Sequence, residues 1–190
     1  MILFINACVR RESRTKILAD RLLARLKEDA EHNSDNDNCV EELRLEDMAF
    51  PVADEAFLHK RDALLAAGEL NDPLFAPARQ FASADTIVIA APYWDLSFPA
   101  ALKQYIEQVN VVGITFEYTP EGFPRGLCRA KKLYYVMTAG GTYVPEEFGY
   151  GYVKALSQNF YGIQDVELIK AVGLDIIGAD VNKIIGDSEV

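Results

Sequence analysis

Three short segments of this 190-residue chain combine residue types that can hold a small molecule, each in a different way. Asn6-Ala7-Cys8-Val9-Arg10-Arg11-Glu12-Ser13-Arg14-Thr15 gathers hydroxyls and guanidinium groups just ahead of a helical pattern. A helix start carries unpaired backbone N–H groups and the positive end of the helix dipole, so Ser13, Arg14 and Thr15 suit a phosphate. Ser13 or Thr15 also suits an ordinary helix cap, and the two uses are compatible. Pro92-Tyr93-Trp94-Asp95-Leu96 sets two large aromatics and an apolar side chain after an apolar run. Such a lining fits a planar conjugated ring, and it equally fits packing beneath a neighbouring helix. Thr138-Ala139-Gly140-Gly141 offers a hydroxyl and two residues without β-carbons, so that backbone can approach a flat ligand edge and donate N–H bonds. Taken alone, a Gly-Gly pair marks only a turn.

For these segments to meet, each must follow a strand of one parallel sheet, and the hydrophobic pattern supplies such strands. Residues 1–7 form an apolar run that ends where charge begins, as a buried parallel strand does. Leu18, Leu22 and Leu26 recur every four residues between 15 and 30, with charged residues on the other faces, and predict an amphipathic helix. Residues 32–38 (HNSDNDN) read as a polar turn, and 40–45 as an outer strand in a wetter setting. The stretch 54–68 reads as an insertion with helical character that stops at Gly68; Asn71 and Pro73 then open a second helix to residue 82. Residues 86–91 (TIVIAA) predict strand three and 98–109 its helix. After an excursion over 113–129 come strand four at 133–138, a helix at 146–160 and strand five at 166–172. Within the excursion, residues 120–125 (PEGFPR) read as a lid or a plain surface loop.

Strands alternating with helices imply right-handed crossovers, because parallel neighbours cannot be joined by tight hairpins. The expectation is one domain over 1–190, an α/β doubly wound sheet of five parallel strands in the flavodoxin-like order 2-1-3-4-5 with helices on both faces. In that order a ligand sits beyond the carboxyl ends of the strands where the winding reverses, so the loops after strands one, three and four converge.

Composition narrows the partners. Nineteen basic against twenty-nine acidic residues give a net charge of −10, a field that opposes nucleic acid and anionic lipid. Against that background Arg10, Arg11, Arg14 and Lys16 form a local anion site. Residue 1 opens directly into the apolar run and no stretch is long and apolar enough to span a bilayer, so the expectation is a soluble cytoplasmic protein without a membrane partner. Three widely spaced cysteines without a C-x-x-C pair suit a reducing compartment, and His32 and His59 add no metal-ligand spacing.

The run A-A-P-Y-W-D-L-S-F-P-A-A-L-K-Q-Y-I-E, then G-I-T-F-E-Y-T-P-E-G at 113–122 and T-A-G-G at 138–141, resembles the FMN-dependent NAD(P)H quinone reductase and azoreductase family. The resemblance covers about residues 85–172 and the first thirty. It implies that Ser13, Arg14 and Thr15 hold the phosphate of FMN. It also implies that Tyr93, Trp94, Asp95 and Leu96 line the isoalloxazine, in the loop that Pro92 opens, and that Thr138, Ala139, Gly140 and Gly141 meet its polar edge. Phe116 and Tyr118 would belong to the wall of the substrate pocket. It further implies a homodimer with sites at the subunit interface, and a two-stage cycle in which NADH or NADPH reduces FMN before a quinone, azo or nitro acceptor enters. No catalytic side chain is required, since the flavin carries the chemistry. This chain departs from the family in having Tyr93-Trp94-Asp95-Leu96 where many relatives have Met-Tyr-Asn-Phe, and in the 54–68 insertion.

Two other readings remain at this point. Cys8, five residues, then Arg14-Thr15 matches the C-x5-R-[ST] loop of low-molecular-weight tyrosine phosphatases, with Cys8 as nucleophile and Arg14 in the anion cradle. Glu12 intrudes on that loop, which has no glycine, and the sole Asp-Pro pair, Asp72-Pro73, lies too early to be the acid. A non-enzymatic FMN electron carrier is the other.

Overall fold

The structure, a computed structural model, describes residues 1–32, 39–188 and 190. The chain runs β1 (Ile2–Asn6), α1 (Arg14–His32), β2 (Val40–Arg44), α2 (Glu55–Ala66), α3 (Ala76–Ser83), β3 (Thr86–Ala90) and α4 (Ala100–Val109). It continues with β4 (Phe116–Tyr118), β5 (Pro124–Gly126), β6 (Lys132–Thr138), α5 (Tyr150–Leu156), β7 (Asp165–Ala171) and α6 (Val181–Asp187). Five strands form a parallel sheet in the order β2-β1-β3-β6-β7, which is the expected flavodoxin-like order 2-1-3-4-5 once the two hairpin strands are set aside.

Burial explains why the central strands read as continuous apolar runs. Every residue of β1 is buried, as are all but the first of β3 and β6, because helices cover both faces. Leu3, Ile5, Ile87, Ile89, Leu133 and Tyr135 pack on one face against Phe81, Leu102, Ile106 and Val153. On the other face Ile2, Phe4, Val88, Ala90, Tyr134 and Val136 meet Leu18 and Leu22 of α1 and Ile185 of α6. Alternate residues of each strand thus feed opposite layers. β2 at the sheet edge leaves three of its five residues exposed, matching its mixed composition.

Several expected boundaries move, each for a physical reason. The excursion over 113–129 holds an antiparallel hairpin, Phe116 opposite Gly126 and Tyr118 opposite Pro124, whose three-residue strands are too short to show a period. Of the 120–125 segment, residues 120–123 are its turn, closed by Thr119 N–H to the Phe123 carbonyl at 2.8 Å, and Pro124 and Arg125 belong to β5. The helix expected from residue 146 starts at Tyr150, because the segment before it bonds to the loop after β3: Tyr93 Oη donates to the Pro145 carbonyl and Ser97 Oγ to that of Phe148. It then widens into a π-helical turn over Ser157–Tyr161. The second helix after the insertion is split into a 3-10 turn at Pro73–Phe75 and α3. α6, capped by Asp180, was not foreseen. The polar turn expected at 32–38 lies, apart from His32 at the end of α1, outside the described residues. No helix among the described residues is long and apolar enough to cross a membrane.

Candidate functional site

Ser13 is the N-cap of α1: its carbonyl accepts from Ile17 N–H at 3.1 Å and its hydroxyl from Lys16 N–H at 3.3 Å. The N–H groups of Arg14 and Thr15, in the first turn, have no intrahelical acceptor and are available to an anion. Thr15 and Thr138 are both buried, and their hydroxyls share a hydrogen bond of 2.6 Å. The helix start is therefore fixed over the tip of β6 by a side-chain pair that lies 123 residues apart in sequence.

Backbone bonds beyond the strands hold the remaining loops at the same end. Ala7 N–H donates to Ala90, Ala91 to Val136, Tyr93 to Thr138 and Ala139 to Ala171, each at 2.9 to 3.0 Å. Parallel pairing thus continues one or two residues past each strand and carries the three sequence segments to one edge. There Ser13, Arg14, Thr15, Pro92, Tyr93, Trp94, Thr138, Ala139 and Gly140 line a single cavity of about 460 Å³. That volume lies within the range of about 300–1,000 Å³ usual for small-molecule sites. The other lining residues are Val9, Arg10, Glu12, Leu174 and Asp175.

A model of the flavodoxin-like fold family matches residues 1–188. The chain belongs to the flavodoxin-like fold family. An FMN-dependent NADH:quinone oxidoreductase of Clostridium perfringens (strain SM101 / Type A) is 38% identical to it over 186 residues, covering 96% of this chain and 90% of that protein. Among solved structures, an azoreductase from Bacillus anthracis str. Sterne superposes with a TM-score of 0.80 at 28% identity, over 97% of this chain and 92% of that one. An FMN-dependent NADH-azoreductase from Bacillus anthracis str. Ames Ancestor, solved in complex with FMN, shares the fold with a TM-score of 0.76 at 24% identity, over 98% and 92%.

The other expected positions of this flavodoxin-like chain do not line the cavity. Asp95 and Leu96 occupy the corner of a two-residue turn, with Trp94 N–H donating to Ser97 at 3.1 Å and Ser97 N–H to Trp94 at 2.7 Å. Both adopt left-handed backbone, with φ of 50° and 66°, and both are exposed. The following helix, expected from residue 98, begins at Ala100. Gly141 is exposed beside Gly140. Phe116, read as part of the substrate wall, is buried with its ring edge-on to Phe160 and Tyr118, while Tyr118 is exposed on the hairpin.

Cys8 is buried against the backbone of β3, its thiol donating to the Ala90 carbonyl at 3.8 Å. Burial pushes that thiol up from its ordinary pKa, outweighing the opposing hydrogen bond from Ser13. A phosphatase nucleophile requires the opposite shift. Arg14 is likewise not poised around Cys8: its Nη1 pairs with Asp175 Oδ1 at 2.7 Å. The match to the C-x5-R-[ST] loop is thus a coincidence of spacing. Leu174 and Asp175 escaped the sequence reading because nothing in their local composition separates them from an ordinary loop after a strand.

Proposed function

We propose that this chain is an FMN-dependent oxidoreductase that passes electrons from NADH or NADPH to a quinone or azo acceptor. The observation that carries the reading is the single cavity shared by a helix start rich in donors, an aromatic side chain and the tip of β6. FMN fits the chemistry of this donor set, with an anion site at one end and an open, partly apolar mouth at the other. Bound there, FMN supplies hydride acceptance and electron storage.

The chain's own residues bind and orient. The N–H groups of Arg14 and Thr15 and the hydroxyls of Ser13 and Thr15 hold the phosphate, aided by the dipole of α1. Thr138, Ala139 and Gly140 present the tip of β6 to the ring, with Pro92, Tyr93 and Trp94 as its wall; Asp95, Leu96 and Gly141 stand at the margin. Trp94, about one-third exposed, and Tyr118 on the hairpin are the side chains that donor and acceptor meet in turn, and they help keep water from the ring. Leu96 beside Trp94, and Tyr143 and Phe148 on the segment that bonds to the loop after β3, are exposed apolar side chains that support a homodimer closing over the site. Three free thiols suit work in the cytoplasm.

An absorption spectrum of the purified protein, followed by release and identification of the chromophore, tests the cofactor. Steady-state oxidation of NADH or NADPH with a soluble quinone tests the activity, which Cys8→Ser leaves intact. A colourless protein that hydrolyses an aryl phosphate through its thiol would overturn the proposal, and a flavoprotein not reduced by pyridine nucleotide would be an electron carrier instead.

A further inference from the structure

Gly140 leaves room for a β-carbon that is absent, and the loop after β7 uses that room. A β-carbon at Gly140 would stand 2.1 Å from Oδ2 of Asp175 and 2.8 Å from its Cγ, whereas one at Gly141 would meet nothing within 4 Å. Three backbone bonds tie the loop down: Gly173 N–H to the Gly141 carbonyl at 2.9 Å, Leu174 N–H to Ala139 at 3.2 Å and Asp175 N–H to Gly140 at 3.0 Å. So placed, Asp175 Oδ1 accepts from Arg14 Nη1 at 2.7 Å, and the Leu174 carbonyl accepts from the same nitrogen at 3.3 Å. Because both acceptors engage one nitrogen, Nη2 and Nε keep their N–H donors on a side chain that lines the cavity.

We propose that Asp175 is a positioning residue for the phosphate end of the site: it fixes Arg14 beside the start of α1 and thereby makes the cavity favour FMN over unphosphorylated riboflavin. The inference rests on the reading of the cavity as an FMN site. An unrestrained arginine loses rotamer freedom when a ligand recruits it, and two acceptors that hold it beforehand remove that cost from binding. The Asp175 carboxylate also repels a phosphate. Its side chain is 71% exposed and that of Arg14 40%, so water and salt screen both charge interactions; the direct 2.7 Å hydrogen bond to Arg14 and the Leu174 carbonyl beside it persist where a through-solvent repulsion fades, and positioning prevails.

The test is titration of flavin-free protein with FMN and with riboflavin, followed by flavin fluorescence. Asp175→Ala weakens FMN binding about tenfold, the upper end of what one immobilised side chain is worth, and leaves riboflavin unchanged. Asp175→Asn, whose side-chain carbonyl still accepts from Nη1, retains most of the affinity for FMN. In an Arg14→Ala background, Asp175→Ala has no further effect on FMN. Equal losses for FMN and riboflavin, tighter FMN binding in either Asp175 variant, or additive effects of the two alanine substitutions would overturn the proposal. Wild-type protein that takes up no FMN defeats the cofactor reading instead, a result distinguishable from all of these.

Discussion

At the α1 end of the cavity Ser13, Thr15 and Thr138 are buried and hydrogen-bonded, and the loop after β7 is stapled to the tip of β6 by three backbone bonds. At the Trp94 end the chain turns through two non-glycine residues at positive φ, and Trp94, Leu96, Tyr143 and Phe148 face solvent. A ligand group that stays bound is served by donors fixed before it arrives, since preorganisation lowers the ordering cost. Reactants that must enter and leave are served by an open apolar mouth. Rigidity and openness in one cavity therefore follow from which loops continue the sheet's hydrogen bonding and which leave it.

The largest effect expected from this contrast is that of the cofactor itself. FMN at a hundredfold excess over its Kd raises stability by about 2.7 kcal/mol, read as a shift in thermal melting, and riboflavin at the same concentration raises it less. Equal shifts would mean that the α1 end contributes nothing. Next, Thr15→Val leaves the buried Thr138 hydroxyl without its partner and costs about 1–3 kcal/mol in urea unfolding, with weaker FMN binding. Leu96→Gly acts in the other direction at the mouth, relieving left-handed strain and gaining up to about 1 kcal/mol. An unchanged unfolding midpoint would show that the turn is not strained. Smallest in stability is Trp94→Ala, expected within about 0.5 kcal/mol of wild type because the side chain is partly exposed, while the KM for a quinone rises. A stability loss as large as that of Thr15→Val would erase the distinction between the two ends.

Much of this was legible beforehand, because the signals are local. TIVIAA and the opening ILFI run identify buried parallel strands by composition, and the Leu18, Leu22 and Leu26 spacing identifies the helix that covers them. Once strands and helices alternate, the crossover rule brings the loops after β1, β3 and β6 to one edge. The rest required distance information. Asp175 is 161 residues from Arg14 and shows no motif. Phe116 looked like a pocket aromatic in sequence, but a hairpin too short to detect turns it into the core against Phe160. Gly140 lines the cavity as expected, but what requires a glycine there is Asp175, whose carboxylate fills the place of the missing β-carbon.

The sequence by itself determined the fold and the chemical types gathered at its active edge, since hydrophobic period and charge clustering act over a few residues and leave their mark in order. Only the tertiary structure decided which of two neighbouring glycines is sterically required, which arginine is held and by what, and that Cys8 is buried rather than reactive. Those outcomes depend on contacts between strand tips far apart in the chain, where packing and hydrogen bonding, not local propensity, set the free energy.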